Sequence, residues 1–222
     1  MAVKQRAYSN EQKLERQTTI LLAAEKLFGD RRYEQVTMLD IAKCAGVSKG
    51  TLYVYFETKE ALFLVYAKQH IDRFFARLQQ LLDQHTDALG AAGVVNAIGQ
   101  AYSESKQMVR LLTLLHQVLE SNAGFDNALA FRRGLIPLLE CAGAECERHL
   151  WFLDKGMGAR LLLTIHSVSL GLQQLADPSE TIQKVEQQPD MTLYQFDFET
   201  SFISTIDCLL AGMEARARQK NS

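Results

Sequence analysis

The sequence contains no apolar run long enough to cross a bilayer, and no apolar signal segment follows Met1. These absences predict a soluble, cytoplasmic protein without a membrane partner. Cysteine is also scarce, because the 222 residues include only four, and all four lie in apolar helical patterns. We therefore expect buried thiols in a reducing compartment rather than disulfides.

A strong basic charge is missing as well. The formal net charge is −2 at pH 7, so the chain as a whole is not a basic nucleic-acid binder. The first 60 residues nevertheless contain ten Lys and Arg against eight Asp and Glu, and the remainder contains 14 against 18. The sign of this difference favours a DNA-contacting N-terminal region on an acidic body.

No arrangement typical of catalysis is present. The sequence shows no nucleophile with a plausible base, no paired carboxylates at a marked loop and no cofactor fingerprint, so we predict no catalytic residues, no cofactor and no enzymatic activity. Cys141 and Cys146 in the run CAGAECERH lie about 140° apart around a helix, so no metal site is predicted. Gly156 and Gly158 follow no strand, which favours close helix packing over a dinucleotide-binding loop.

Strand patterns, internal repeats and low-complexity tracts are absent, and apolar residues recur at helical spacing throughout. The predicted fold class is therefore all-α, with about nine helices. No glycine or proline occurs from Thr51 to Ala88, which predicts one long helix over residues 58–84. Pro137 is expected to kink or restart its helix. The other long helices are predicted over 11–29, 87–101, 103–121, 125–150, 154–175 and 197–217, with a short helical turn from residue 177.

The run Thr37–Phe56 predicts two short helices joined by a tight turn. Thr37 is a suitable N-cap with Asp40 three residues later, and Ser48 can cap the second helix. Gly46 supplies the left-handed residue that ends the first helix. Because the second helix is polar and aromatic, the pair is typical of the helix-turn-helix that enters the DNA major groove.

Several runs in this region resemble the N-terminal domain of the TetR family of bacterial transcriptional regulators. The matching runs are Ile20–Phe28, Asp40–Ala42, Ala45–Tyr53, Tyr55–Phe56 and Lys59–Leu62, together with Tyr33 and Thr37. The resemblance implies a homodimer whose subunits combine a three-helix DNA reader with an α-helical body. We accordingly expect a helix-turn-helix DNA-binding domain at residues 1–57, with a flexible arm at 1–10, and a ligand-binding and dimerisation domain at 58–222.

The resemblance also implies binding to a palindromic double-stranded operator, usually in repression, with release when a small molecule enters the body. Matched positions imply phosphate contacts from Thr37, Tyr55 and Lys59, and contacts on or beside the recognition helix from Ser48, Lys49, Gly50, Thr51 and Tyr53. The chemistry agrees, because lysine neutralises phosphate and can reach guanine acceptors, while hydroxyl and backbone N–H groups fix the register. Thr51 is equally compatible with a core position, and Lys59 with a solvated helix start.

Two positions depart from the family pattern. Arg32 stands where a glycine commonly precedes the aromatic residue, and a positive φ there would cost roughly 1 kcal/mol of strain. Leu39 stands in the first of the two short helices, where a polar or basic residue often contacts DNA. An apolar side chain cannot hydrogen-bond a base edge, although it can touch a thymine methyl group, so the reading of sequence shifts to Ser48–Tyr55.

The helical body contains candidates for an effector pocket and for a dimer interface. Apolar residues with a few polar ones that can line a pocket are Tyr102, Met108, Leu112, His116, Phe131, Trp151, Phe152, Leu162, Ile165 and His166, although most residues at such spacing form core. The family pairs its last two long helices into a four-helix bundle across the two-fold axis. The resemblance therefore implies an interface seam of Leu161, Ile165, Val168, Leu172, Phe202, Ile206 and Leu209.

Together these features predict a ligand-responsive transcriptional repressor of the bacterial cytoplasm, located on the nucleoid when bound to DNA. Its effector is expected to be a small, largely apolar molecule whose identity the sequence does not specify. An activator, or a DNA-binding regulator without a physiological ligand, is the alternative.

Overall fold

The computed structural model describes the backbone of residues 2–221 and the side chains of residues 11–221. These residues form helices, turns and loops without a strand, which confirms the all-α class. In chain order the α-helices are α1 Ala2–Asp30, α2 Met38–Cys44, α3 Lys49–Tyr55, α4 Lys59–Asp83, α5 Gly90–Ser103, α6 Lys106–Leu114, α7 Glu120–Asn122, α8 Phe125–His149, α9 Met157–Ala176, α10 Glu180–Glu186 and α11 Phe198–Lys220. Within the described part, no helix is both long enough and apolar enough to span a membrane.

Helix α1 begins earlier than the sequence analysis predicts. Its backbone is helical from Ala2 onwards, where we expected a flexible arm over residues 1–10. No glycine or proline interrupts the chain between Met1 and Phe28, so no local feature prevents the helix from extending. The side chains of residues 1–10 lie outside the described part of the structure.

The chain divides into two compact units. The first unit contains the chain up to Lys68 together with Leu115–Phe131, and the second contains Gln69–Leu114 and the chain from Arg132 onwards. Helix α4 contributes residues to both. The first unit therefore includes more of the chain than residues 1–57, which the sequence analysis assigns to DNA binding.

The core of the first unit joins α1, α2 and α3. Ile20 and Ala24 of α1, Ile41 of α2 and Leu52 of α3 are all fully buried. The two short helices bury little surface by themselves, so α1 supplies the apolar face against which they fold. Aromatic rings extend this core, because Phe63 makes edge contacts with Phe28, Tyr33 and Tyr66 at centroid distances of 5.5, 5.0 and 6.0 Å.

The second unit is built around the packing of α5 and α9 against α11 and of α6 against α9. The ring of Tyr102 lies between Phe74 and Phe202, at centroid distances of 4.8 and 4.4 Å. Its hydroxyl donates to Ser169 Oγ at 3.4 Å, and Ser169 Oγ donates to the carbonyl of His166 at 2.7 Å. Burial raises the pKa of Tyr102 to about 12, so this phenol stays neutral within the apolar cluster.

Helices α8 and α9 approach each other at two glycines. A Cβ atom added to Gly158 would overlap the carbonyl oxygen of Gly143, and one added to Gly143 would overlap the backbone nitrogen of Ala159. Glu147 of α8 accepts hydrogen bonds from the backbone N–H groups of Gly156 and Gly158, both at 2.8 Å. Its carboxylate thereby satisfies donors at the N-terminus of α9. The predicted close helix approach is confirmed at Gly158, whereas a Cβ atom added to Gly156 would meet no atom within 4 Å, and Gly156 instead has φ of 85°.

Two places within the helical body bear on the predicted elements. The helix predicted over residues 103–121 consists of α6, a π-helical turn at Leu115–Leu119 and α7. A π turn contains one residue more than an α turn, which local propensity does not signal. Pro137 lies inside α8, so the helix does not restart there, and the alternative of a kink stays a prediction.

The cysteines are less buried than predicted. Cys146 is fully buried, and burial raises its pKa to about 12. Cys44, Cys141 and Cys208 are exposed, so the expectation of buried thiols is wrong for these three. They lie on the outward sides of amphipathic helices, and the spacing of cysteine among apolar residues does not distinguish the edge of a buried face from its centre.

His149 at the end of α8 connects to the segment between α4 and α5. The residue is 1 % exposed. Its Nδ1 accepts a hydrogen bond from the Leu89 backbone N–H at 3.2 Å, and Nε2 lies 3.2 Å from the Leu82 carbonyl oxygen, which requires a proton on Nε2. Burial, followed by repulsion from Arg148, lowers the pKa of His149 below its ordinary value. The neutral ring is therefore the form that the fold stabilises.

This arrangement predicts that acid destabilises the chain through His149. Because the folded pKa is lowered, the unfolded state binds more protons below about pH 6.5. The contribution of the neutral ring is present above that pH and decreases as the pH falls, by at most about 1.4 kcal/mol per unit. Urea unfolding at pH 7.5 and 5.5 measures this loss, which should shrink by about 1 kcal/mol in His149→Gln. The exposed His85→Gln is the control, and an equal loss in all three proteins would contradict the prediction.

Candidate nucleic-acid interface

Local hydrogen bonds fix both helices of the helix-turn-helix. Thr37 Oγ1 accepts from the Asp40 backbone N–H at 3.1 Å and donates to the Asp40 carboxylate at 2.7 Å, a bond that lowers the pKa of Asp40 below its ordinary value. Ser48 Oγ accepts from the Thr51 backbone N–H at 3.0 Å. Gly46 has φ of 66°, the left-handed conformation that lets α2 end and the turn begin. These caps and the glycine are as the sequence predicts.

Helix α3 presents a basic and aromatic face to solvent. Lys49 and Gly50 are exposed, and Tyr53 is 40 % exposed. The Lys49 ammonium lies 5.7 Å from the centroid of the Tyr53 ring, within range of a cation–π interaction that favours one side-chain arrangement. Gly50 has no side chain to hold DNA away from the first turn. This face carries the groups that a recognition helix needs for phosphate and base-edge contacts.

The hydroxyl groups of Ser48 and Thr51 pair with each other. Their oxygen atoms lie 2.8 Å apart, and Thr51 is half-buried, so its position is intermediate between the two alternatives of the sequence analysis. Tyr55 is half-buried at the last position of α3, next to the strongly exposed Val54. The eight predicted DNA-contact positions all belong to the first unit.

Lys59 is held by the loop that precedes α2. Its ammonium donates to the carbonyl oxygens of Tyr33 at 2.8 Å and Val36 at 3.0 Å, and it lies 3.7 Å from the centroid of the Tyr33 ring. Burial lowers the pKa of Lys59 below its ordinary value. An ammonium group has three donors, so one remains beyond the two carbonyl bonds. Lys59 is therefore neither a simple solvated helix start nor a side chain extended freely toward DNA.

A second bond closes the same cluster. The Tyr33 hydroxyl donates to Glu60 Oε1 at 2.8 Å, and burial, followed by this bond, raises the pKa of Tyr33. Two consecutive residues at the start of α4 thus contact the loop from which α2 begins. The sequence motif contained these residues but gave no indication that they contact one another.

The two departures from the family pattern have clear structural outcomes. Arg32 has φ of −72° and ψ of 153°, an extended conformation, so the condition for backbone strain at this position is not met. Leu39 is 47 % exposed on α2, where its side chain is available for apolar contact but offers no hydrogen bond.

A polar groove between α1 and α3 was missed by the sequence analysis. It is lined by Gln12, Lys13, Glu15, Arg16, Thr19, Val54 and Tyr55. Val54 is 77 % exposed, and the groove brings the basic Lys13 and Arg16 beside Tyr55. The only sequence signal for it was the polar side of an amphipathic helix, which is usually no more than a solvated face.

The ten residues predicted for an effector pocket are distributed over the structure. Tyr102, Met108, Leu112, Leu162 and Ile165 are buried in the second unit, and His166 is half-buried there. His116 and Phe131 belong to the first unit, where His116 Nδ1 lies 2.7 Å from Glu120 Oε2. Trp151 is 55 % exposed and, with the half-buried Phe152, lines a surface groove.

The predicted dimer seam faces the core of its own unit. Leu161, Ile165, Phe202 and Ile206 are between 0 and 3 % exposed, while Val168, Leu172 and Leu209 are half-buried. Folding of the single chain buries the most apolar side of each helix, so that side is not available to pair with another subunit. The outward sides of α9 and α11 combine small side chains with large apolar ones, namely Thr164, Ser167 and Gly171 with Leu163 and Leu175 on α9, and Ser204, Cys208 and Ala211 with Ile203 on α11.

Two family models together match most of the chain. Residues 20–66 match the model described as bacterial regulatory proteins, tetR family. Residues 68–217 match the model described as tetracyclin repressor-like, C-terminal domain.

Among characterised relatives, the similarity covers about a third of the chain. The HTH-type transcriptional activator FasR of Mycolicibacterium smegmatis is 40 % identical over 73 residues, which is 33 % of either chain. The HTH-type transcriptional repressor KstR2 of the same organism is 36 % identical over 74 residues, covering 33 % of this chain and 36 % of KstR2. The Bacillus subtilis fatty acid metabolism regulator protein is 31 % identical over 78 residues, covering 35 % of this chain and 40 % of that protein. The matched stretch thus spans about a third of these relatives' lengths.

Solved structures resemble the chain over nearly its whole length. A TetR transcriptional regulator from Rhodococcus sp. RHA1 has a TM-score of 0.58 at 20 % identity, over 90 % of this chain and 97 % of that one. The fatty acid degradation regulator FadR from Bacillus halodurans has a TM-score of 0.56 at 18 % identity, over 89 % and 95 %. At these identities the likeness concerns the fold.

Proposed function

The chain belongs to the TetR family of bacterial transcriptional regulators, and from this premise we propose that it is a repressor that binds a palindromic operator as a homodimer and is released by a small, largely apolar molecule. The observation that carries the DNA-binding part is the capped helix α3 with Lys49, Gly50 and Tyr53 on its exposed face. A homodimer presents two such helices, which fit half-sites about 34 Å apart in successive major grooves.

Within each half-site, α3 reads bases and the surrounding groups hold phosphates. Lys49 at the first helical position is suited to guanine O6 and N7, and Tyr53 to bases or sugar beside it. Thr37, Tyr55 and the remaining donor of Lys59 contact phosphates, and the backbone and hydroxyl groups of Ser48, Gly50 and Thr51 fix the register. Lys13 and Arg16 extend the phosphate contacts along the groove beside Tyr55.

The dimer forms through the outward sides of α9 and α11. Thr164, Ser167 and Gly171 recur at spacings of three and four on the exposed side of α9, which suits close packing of helices across a two-fold axis. The apolar residues predicted as the seam then pack on the opposite, inward sides of α9 and α11. In this arrangement α9 and α11 still form the dimer interface, but through their outward sides and not through the predicted seam.

The effector acts on the second unit. Support comes from the apolar cluster around Tyr102, where Ser169 and His166 offer a few polar groups among aromatic rings. Because one relative is named a fatty acid metabolism regulator protein, fatty acids are the first compounds to test. Helix α4 contributes to both units without a break, so we assign it the transmission of the effector signal to the helix-turn-helix.

Activation of transcription is the second candidate function. It is favoured by one observation, the 40 % identity over 73 residues to a relative named an activator. The DNA-binding geometry is the same for both outcomes, and what differs is the position of the operator relative to the promoter. A reporter gene whose expression rises when the protein is added would support activation.

Operator binding tests the proposed function, and Lys49→Ala tests its central residue. The purified protein should bind a short palindrome selected from random sequence as a dimer, with an affinity that falls steeply as salt rises. In fluorescence anisotropy titrations, Lys49→Ala should weaken binding to this palindrome by roughly tenfold or more, corresponding to about 1–3 kcal/mol. The loss should be much smaller on a scrambled duplex, because that complex lacks the base contact.

The matched control is Lys26→Ala, which removes an exposed lysine from the helical surface of α1. Its operator affinity should change by less than about twofold. Equal binding of wild-type protein to the palindrome and the scrambled duplex would contradict specific recognition. Unchanged operator affinity in folded Lys49→Ala would remove that residue from the assignment.

A further inference from the structure

The two ends of the antiparallel helix pair α9 and α11 each carry an exposed apolar groove. One groove lies beside the N-terminus of α9 and the C-terminus of α11, and the other lies beside the C-terminus of α9. From Met157 to Leu175 the axis of α9 rises by about 27 Å, so the two grooves are well separated. Both consist of residues of the second unit.

The first groove, which we call the Trp151 groove, is rigid and basic. Trp151 Nε1 donates to Glu214 Oε1 at 3.1 Å, and Arg218 donates to the same oxygen at 2.8 Å. These bonds hold the indole in place, yet 55 % of Trp151 stays exposed. Met157, Asp154, Arg216 and Lys220 also line the groove, so its two basic side chains outnumber its one acidic side chain. Exposed tryptophan and arginine held by neighbouring bonds are the residues that most often anchor protein interfaces.

The second groove is formed by residues 177–197 against the end of α9, and we call this segment the α10 arm. Helix α10 has no buried residue, although it carries apolar side chains. Ile182 and Val185 are 45 and 46 % exposed, Tyr194 is 56 % exposed and Leu193 is 88 % exposed. Such a concentration of exposed apolar side chains in a short segment marks an interaction surface.

The charges of the two surfaces are opposite. The α10 arm contains five Asp and Glu and one lysine, whereas residues 214–220 at the end of α11 contain three Lys and Arg and one glutamate. The α10 arm therefore exposes an apolar and acidic surface at one end of the α9–α11 pair. The Trp151 groove exposes an apolar and basic surface at the other end. Opposite potentials of this kind favour contact and select orientation.

We propose that the α10 arm of one subunit docks on the Trp151 groove of the other subunit, with the reciprocal contact at the opposite end of the dimer. The inference rests on the proposed homodimer through α9 and α11. If a two-fold axis crosses the middle of these helices, each α9 runs antiparallel to its copy, and the acidic arm of each chain meets the basic groove of its partner. The opposite, parallel arrangement would place basic ends together and acidic arms together.

The docking also adds apolar area to the proposed interface. Small residues such as Ser167, Gly171 and Ala211 allow close approach, and the exposed Leu163 and Ile203 contribute apolar surface beside them. A stable dimer commonly buries about 800 Å² per subunit. Two reciprocal contacts built on Trp151, Ile182 and Leu193 add large side chains at both ends of the interface.

Trp151 is the single tryptophan of the chain and reports directly on the docking. In the dimer its emission should be shifted to the blue and protected from iodide quenching. Dilution until sedimentation shows monomer should shift the emission to the red and raise quenching. The substitutions Ile182→Asp and Leu193→Asp together should weaken dimerisation by about tenfold or more, because each charge enters an apolar contact. Both positions are exposed in the single chain, so the substitutions leave its core unchanged.

Mixed dimers show which chain supplies the arm. A chain with native Trp151 is mixed with an excess of Trp151→Phe chains, above the concentration at which all chains dimerise. The Trp151→Phe chain is the silent partner, because it has no tryptophan emission. If this silent partner carries Ile182→Asp and Leu193→Asp, quenching of Trp151 should rise. If the same substitutions are on the chain that carries Trp151, and the silent partner has a native arm, quenching should stay low. The reverse pattern would mean that the arm folds onto its own chain, and no response in either mixture would mean that the arm does not cover Trp151; either result overturns the proposal.

Failure of the docking is distinguishable from failure of the proposed function. Wild-type protein that dimerises and binds its operator, while Trp151 is equally quenched in dimer and monomer, contradicts the docking alone. Wild-type protein that remains monomeric at all concentrations and does not select a palindrome contradicts the repressor proposal itself.

Discussion

Gly158→Ala should lower the free energy of unfolding by about 3 kcal/mol, the largest effect on stability that the structure predicts for a single methyl group. The added Cβ would lie 2.6 Å from the carbonyl carbon of Gly143, and this neighbour is backbone, which cannot rotate away. The clash would force α8 and α9 apart. It would also disturb the bond from the Gly158 N–H group to Glu147. For a chain of this length, the melting temperature should fall by roughly 6–12 °C.

Urea unfolding followed by circular dichroism measures this effect. The control is Ala144→Leu, which enlarges an exposed side chain on α8 next to Gly143 and should change stability by less than about 0.5 kcal/mol. Gly143→Ala should resemble Gly158→Ala, because its Cβ would lie 2.8 Å from the Gly158 carbonyl carbon. Wild-type stability in either glycine variant would mean that the two helices do not cross at this distance.

Lys59→Met should lose both stability and operator affinity. The substitution keeps an unbranched stem up to the Cε position but removes the charged donor from the carbonyl groups of Tyr33 and Val36. Leaving two part-buried acceptors without a charged partner should cost about 2 kcal/mol of unfolding free energy. Because the same loop leads into Thr37 and α2, operator affinity should fall by about tenfold or more. Unfolding curves and anisotropy titrations measure the two losses separately.

Two variants separate this structural role from a phosphate contact. Lys26→Met removes an exposed lysine with the same change of side chain and should leave stability within about 0.5 kcal/mol. Tyr33→Phe removes only the hydrogen bond to Glu60 and should leave the bonds of Lys59 in place. If Lys59→Met kept wild-type stability while the salt dependence of operator binding fell by about 0.9 in slope, Lys59 would contact phosphate only.

Features that depend on neighbours in the chain were predictable from the sequence. Thr37, Gly46 and Ser48 act over three or four residues, so their identity alone specifies the caps and the turn. The unbroken run before Ala88 predicted a helix over residues 58–84, and α4 spans Lys59–Asp83. Leu52 marks the buried side of α3, so helical periodicity identifies the opposite side as the exposed face.

Features that depend on distant partners were not predictable. Periodicity identified the apolar stripes of α9 and α11, but it does not distinguish a stripe that packs within a subunit from one that packs between subunits. Leu161 and Phe202 therefore appeared as a dimer seam, although the structure buries them in their own unit. Lys59 likewise matched a DNA-contact position, because no sequence pattern indicates that its ammonium reaches carbonyl groups 23 and 26 residues earlier.

The π-helical turn at Leu115–Leu119 affects how this chain should be aligned with its relatives. The turn holds one residue more than an α-helical turn, so it absorbs an insertion without rotating the helix beyond it. Leu112 before the turn and Leu119 at its end are both buried. A relative with an uninterrupted helix here should be one residue shorter and still direct equivalent side chains to its core. The gap in such an alignment belongs inside a helix, where alignments usually do not allow one.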